Sequence, residues 1–227
     1  MRRETWRIAA LQLVGALATT GCLTARSPYP RSFTIDAPAP KSLPQTGGLV
    51  VAVARVEVAP EYSGQAFVYQ TRDHELVRDP YARFAALPSS LLATAIRGYL
   101  ANAGFLGDVV SQGSELRPPV TVETSTLKLA GILRSTESSS LLTIRFRVLR
   151  NGRDPGAPTE ILLKTYSATS NNRGATAGAV VDGWNRALAE IMSNFESDLR
   201  SSLISAGLLS GESEPTPEAA GQSPTRN

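Results

Sequence analysis

The clearest pattern in the chain is strict alternation. Leu142, Ile144, Phe146 and Val148 interleave with Thr143, Arg145 and Arg147. Successive side chains of a strand point to opposite sides, so this run predicts a strand with one face inward and a basic face outward. Val120–Leu133 precedes it and residues 160–169 follow it, predicting a meander, with Asn151-Gly152 opening a turn. Further upstream, Leu49–Val58 is a nearly continuous apolar run that ends in alternation, a strand buried on both faces at its start. Residues 66–70 form a second short strand, and 74–81 read as a polar connector.

Two segments change period from two to between three and four. Leu91, Leu92, Ala95, Ile96, Tyr99, Leu100 and Ala103 share one helical face after Pro88-Ser89-Ser90, with a serine as the expected cap and Gly104 as the stop. Val180, Val181, Trp184, Leu188, Ile191, Met192, Phe195, Leu199 and Leu203 mark a second, longer helix over about 176–204. The pattern predicts an α/β fold: one small domain over residues 48–205, with a mixed, mainly antiparallel sheet packed by two principal helices. A helix on each side of the sheet is consistent with the pattern. Residues 206–227, rich in Gly, Ser, Pro, Glu and Thr, read as a disordered tail.

The first 47 residues follow other rules. Arg2, Arg3 and Arg7 precede an apolar run from Ile8 to Ala18. That run is too short to span a ~30 Å hydrocarbon core but suits a signal peptide over residues 1–21. Gly21-Cys22 at its end has the character of a lipobox, in which a small residue precedes a thiol that accepts a diacylglyceryl group. Thr19 departs from the Leu, Val or Ile usual there, and Ala16-Leu17-Ala18 offers ordinary cleavage as the alternative. Lipidation of Cys22 is the better reading because it accounts for the one cysteine in the chain. Residues 22–47 would then be the lipidated cysteine and a Pro-rich tether, carrying one extended piece at residues 32–35. Leu23 is not the Asp of an enterobacterial inner-membrane retention signal, so delivery to the outer membrane, facing the periplasm, is expected.

Composition removes most catalytic classes. The formal net charge is +3. Cleavage before Cys22 takes away Arg2, Arg3, Arg7 and Glu4, leaving about +1. No dense basic patch with aromatic platforms indicates nucleic acid. One cysteine and one histidine, His74, argue against a metal site and against histidine-based catalysis, and no cofactor is expected. No nucleophile elbow or phosphate-binding glycine loop occurs. The chain therefore reads as a non-enzyme. Trp184 reads as core, and Arg145 and Arg147 as a solvated face or a contact for an acidic partner or anionic lipid. Phe67, Tyr69, Tyr81 and Phe84 are either core or a partner-binding aromatic patch.

These residues resemble the ABC-type transport auxiliary lipoprotein family, which includes the paraquat-inducible-type lipoprotein. The match runs through the signal peptide with Cys22, then Phe33-Thr34-Ile35-Asp36, then Val58-Ala59-Pro60-Glu61-Tyr62. It is most distinctive in Phe67-Val68-Tyr69-Gln70-Thr71 and in Asp79-Pro80-Tyr81-Ala82-Arg83-Phe84-Ala85-Ala86-Leu87-Pro88. Phe84 stands where the family usually has tryptophan, and Gln70 where it has arginine. The resemblance spans roughly residues 33–204. It implies an accessory that is lipid-anchored to the membrane and partners an ABC permease, its ATPase and a mammalian-cell-entry (MCE) domain protein. That assembly moves phospholipid or another hydrophobic molecule across the periplasm. Some relatives form rings, so homo-oligomerisation is a further implication. The rival reading is an envelope-assembly or secretion scaffold lipoprotein.

Overall fold

A computed structural model describes residues 29–36, 48–71, 73–113, 118–152 and 157–210. Cys22, the signal peptide and the stretch from 211 onward lie outside the described residues. The elements are β1 (Arg31–Phe33), β2 (Val50–Val58), β3 (Ala66–Gln70), β4 (Leu76–Phe84), α1 (Pro88–Ala101), β5 (Asp108–Ser111), β6 (Val120–Leu133), β7 (Glu137–Arg150), β8 (Thr159–Arg173) and α2 (Ala177–Ser205).

All eight strands belong to one mixed sheet. The long pairings β6/β7 and β7/β8 are antiparallel, as a meander requires. On its other edge β6 is shared end to end. Val51–Val58 of β2 runs parallel to Val120–Thr126, while Tyr69 of β3 lies opposite Gly131 further along. β5 extends the sheet beyond β2, and β4 then β1 extend it beyond β3. The alternation of β7 reads out as expected. Leu142, Ile144, Phe146 and Val148 are buried, and Arg145 and Arg147 are exposed.

Both helices cover the same face. Their apolar stripes join a single core, and Tyr99 Oη of α1 donates to Glu196 Oε2 of α2 at 2.9 Å. The expectation of one helix per side is therefore corrected. The opposite face carries Glu123, Ser125, Thr143, Arg145, Arg147 and Thr165, polar enough to stay in water without a covering layer. Phe146 stacks on Phe195 at 3.9 Å between ring centroids, fixing α2 against β7.

One stretch of α2 approaches the sheet unusually closely. Gly183 faces Ser140 and Asn172, and a Cβ there would collide with both side chains. The polar groups buried by this approach satisfy one another. Ser140 Oγ donates to Val180 O at 2.7 Å, Asn172 Nδ2 donates to Ser140 Oγ at 2.9 Å, and Arg186 Nη2 donates to Asn172 Oδ1 at 2.7 Å.

Three local expectations give way to longer-range effects. The polar connector is mostly strand, since Leu76–Phe84 is β4. Its register against β3 jumps between Val68/Arg78 and Ala66/Arg83. In that bulge Asp79 Oδ1 accepts from the N–H groups of Tyr81 and Ala82, and Pro80 sits where its missing N–H does least harm. The first helix has no serine cap: Leu87 is the N-cap, and Pro88 takes the first helical position that its fixed φ suits. The short extended piece near residue 32 is docked as β1 beside Ala82–Phe84. Ile35 is buried, and Asp36 N donates to Asn185 Oδ1 at 3.0 Å.

Candidate functional site

The four aromatic residues singled out from the sequence separate. Phe67 and Phe84 lie in the core against Trp184, with ring centroids 5.0 and 5.4 Å from it, and Phe33 of β1 adds a fourth ring 5.4 Å from Phe67. Tyr69 is buried beside them. Burial and the neighbouring Asp79 carboxylate, which accepts its hydroxyl, push the Tyr69 phenol well above the usual tyrosine range. Tyr81 is the one of the four at the surface. Trp184 is fully buried and its Nε1 donates to Ala130 O at 3.2 Å, so it is a core anchor for α2.

His74 occupies the tight turn between β3 and β4 with φ +62°, and its Nδ1 lies 3.0 Å from Gln70 Nε2. It is exposed there. Among the described residues no group of three or more His, Cys, Asp or Glu side chains converges on a point. Arg147 is engaged within the sheet surface, 2.8 Å from Glu160 and 3.7 Å from Glu123. Arg145 Nε donates to Thr165 Oγ1 at 3.2 Å.

A concavity among the described residues lies elsewhere, along β2. β5 pairs with this strand only from Val50 to Val53, and a bulge follows between Val53 and Val56. From Ala54 to Val58 no strand pairs with the outer edge of β2 among the described residues. An open groove of about 810 Å³ runs beside this free edge, with a smaller one of about 360 Å³ continuing toward β5. Arg55 and Glu57, with Ser125 of β6 and Arg145 of β7 across the paired side of β2, form its polar wall, and Leu87 and Ser89 at the start of α1 form the other. Leu87 is half exposed at an N-cap that lacks a side-chain bond, so the first turn of α1 opens toward the groove. An unpaired strand edge beside such a groove can accept an extended peptide as an added strand, with side-chain pockets supplying selectivity.

Sequence reasoning did not isolate this groove. The available signal was small: Arg55 and Glu57 interrupt the apolar run of β2, and an exposed leucine precedes Pro88. The groove itself depends on where β5 stops and on the bulge, which are non-local.

Comparison with known proteins places these features. The family model for the ABC-type transport auxiliary lipoprotein component matches residues 33–194. No curated protein matches the sequence. The fold is similar to that of a Xanthomonas campestris protein of family DUF330, at 12% identity and TM-score 0.63, covering 80% of this chain and 98% of that one. It is also similar to an uncharacterised protein at 14% identity and TM-score 0.55, covering 74% and 99% of the two chains. Among the described residues no helix is long and apolar enough to cross a membrane.

Proposed function

The chain belongs to the ABC-type transport auxiliary lipoprotein components, and from that premise we propose that it is a membrane-anchored, non-catalytic accessory of an MCE-domain transporter. In this reading the lipid on Cys22 holds the domain to the periplasmic leaflet of the outer membrane. The domain docks the transporter's periplasmic MCE protein while the permease and ATPase work at the inner membrane. Phospholipid or another hydrophobic molecule is the cargo.

One observation carries the reading: the free outer edge of β2 from Ala54 to Val58, beside an open groove. It offers a protein partner backbone hydrogen bonds and two walls of mixed character, as an accessory that docks a larger machine requires.

A photo-crosslinking residue at Leu87 in the full-length lipoprotein tests this in cell envelopes. The expected adduct contains the MCE-domain protein, and the permease and ATPase co-purify with it. An adduct with a secretion or cell-wall assembly component would overturn the transport reading and favour the scaffold. Loss of transport in a Cys22→Ala strain, with the chain released from the membrane, is the companion result. A Cys22→Ala chain that stayed membrane-bound and supported transport would refute the anchoring.

A further inference from the structure

We propose that one end of this domain, the β3–β4 tip together with the start of β1, lies on the phospholipid surface as a second, apolar contact with the membrane. The proposal rests on anchoring through Cys22 and deepens that reading by assigning an orientation.

The first argument is reach. β1 is part of the sheet, so the chain from the anchor to the fold ends at Tyr29, not at residue 48. Tyr29 is seven steps along the chain from Cys22, and at ~3.5 Å per step they span at most about 25 Å. β7 alone has 14 residues, about 47 Å of strand at ~3.4 Å each. The spacer is therefore shorter than the domain is long, and the domain cannot present its far end to the bilayer.

The second argument is what the near end exposes. β1 starts opposite Ala82, so Tyr29 and Pro30 lead away alongside the preceding part of β4. That part carries Leu76, Val77 and Tyr81. Val77 lies opposite Tyr69, which lies opposite Gly131, so Leu133 belongs to the same end of the sheet. Tyr29, Leu76, Val77, Tyr81 and Leu133 are each at least 39% exposed, and together they make up five of the seven large apolar side chains so exposed among the described residues. Tyrosines flanking aliphatic side chains suit the bilayer interface, where one end of the ring is apolar and the other wet.

The charges decide the kind of contact. Arg31, Arg78, Arg83, Arg134 and Arg173 lie at this end with Asp73, Glu75, Asp79 and Glu137, and Arg72 precedes Asp73 in the sequence, so bases exceed acids by two. That excess is small, and on a zwitterionic phosphatidylcholine surface the contact is apolar and interfacial and does not depend on low salt.

The test uses the full lipidated chain, purified from membranes and reconstituted into phosphatidylcholine vesicles. Lipidation blocks the Cys22 thiol, so Val77→Cys, or Tyr81→Cys as a second position, can be labelled alone with an environment-sensitive fluorophore. Leu163→Cys is the control: Leu163 is equally exposed but sits opposite Arg147, ten positions along β7 from the tip. The expected result is a blue shift at 77 and 81 on reconstitution, quenching by brominated lipid several-fold stronger than at 163, and no change in 0.5 M salt. Flotation with the vesicles but equal water exposure at all three positions overturns this inference and leaves the anchoring intact. A concentration-dependent blue shift without vesicles, insensitive to brominated lipid, also overturns it and assigns the patch to a second copy or another protein. Failure to float overturns the anchoring and this inference together.

Discussion

Replacing Gly183 by alanine sets two large effects against each other. In a helix interior the change is worth about 1 kcal/mol in favour of folding, because glycine pays the greater backbone entropy. Here the new methyl would enter space held by Asn172 Oδ1 and Ser140 Oγ, both on side chains at most 5% exposed. Forcing α2 away from the sheet costs about 1–3 kcal/mol as overpacking. Opening the hydrogen bonds from Asn172 to Ser140 and from Arg186 to Asn172 leaves buried polar groups unpaired, at about 1–3 kcal/mol more. The net expectation is destabilisation by about 2–4 kcal/mol. For a domain of this size each kcal/mol lowers Tm by about 2–4 °C, so a drop of roughly 5–15 °C is expected. Urea and thermal unfolding of the full chain in a Cys22→Ser background would measure it. In an Asn172→Ala, Ser140→Ala background the same Gly183→Ala change should cost much less, and the difference isolates the steric coupling. A Tm that is unchanged or raised in the Gly183→Ala single variant would refute the close-approach argument, since propensity alone predicts a rise.

Other changes probe different parts of the fold. Trp184→Ala should cost about 3–5 kcal/mol, because it empties the space packed against Phe67 and Phe84 and removes the indole N–H from the Ala130 carbonyl; denaturant midpoints report it. The Thr124 and Thr126 hydroxyls are buried without a hydrogen-bond partner among the described residues, so Thr126→Val should stabilise by about 1 kcal/mol, and a lowered midpoint would count against this. Hydrogen bonds from Lys164 and Tyr166 hold the Asp198 carboxyl below its usual range. A depressed folded pKa gives stability that is present above the unfolded value near 4 and lost as pH falls through the folded one. The stability gap between Asp198→Asn and the parent should therefore close on acidification, and it should stay under about 1 kcal/mol because the pair is partly exposed. Burial, with Glu196 adding to it, pushes the Tyr99 hydroxyl up to about 12. Its contribution is present below pH 10 and is lost as pH rises toward 12, so Tyr99→Phe should flatten that part of an alkaline unfolding profile.

Sequence periodicity revealed the elements whose neighbours repeat at a fixed spacing. The Trp184 stripe and the Leu142–Val148 alternation each carry their own evidence, because burial on one face leaves a mark at every turn or every second residue. β4 carries none, since Asp79-Pro80 interrupts it and its strand character comes from pairing with β3 and β1. The same holds for Phe67, Tyr69 and Phe84 against Tyr81. Composition is alike in all four, and only the lateral position of β3 between β4 and β6 decides which are enclosed. Thr124 and Thr126 point inward by register, against their polarity. The groove beside β2 is an absence of pairing, and local sequence does not encode where a neighbouring strand stops.

The sharing of β6 has a consequence for the order in which this chain can fold. β2 and β3 do not pair with each other, and each joins the sheet only through β6. The strands before residue 120 can pair among themselves, β3 with β4, β4 with β1, and β2 with β5, but the two groups cannot join until β6 itself exists. β6, β7, β8 and α2 are consecutive in the chain and supply their own contacts, so the C-terminal half can assemble first. The chain is made from its N-terminus, which leaves β1 to β5 waiting, with the apolar run of β2 exposed, until the C-terminal half has emerged. A chaperone that shields residues 49–58 would act in that interval, and truncation after residue 119 should yield a product that aggregates instead of a smaller domain.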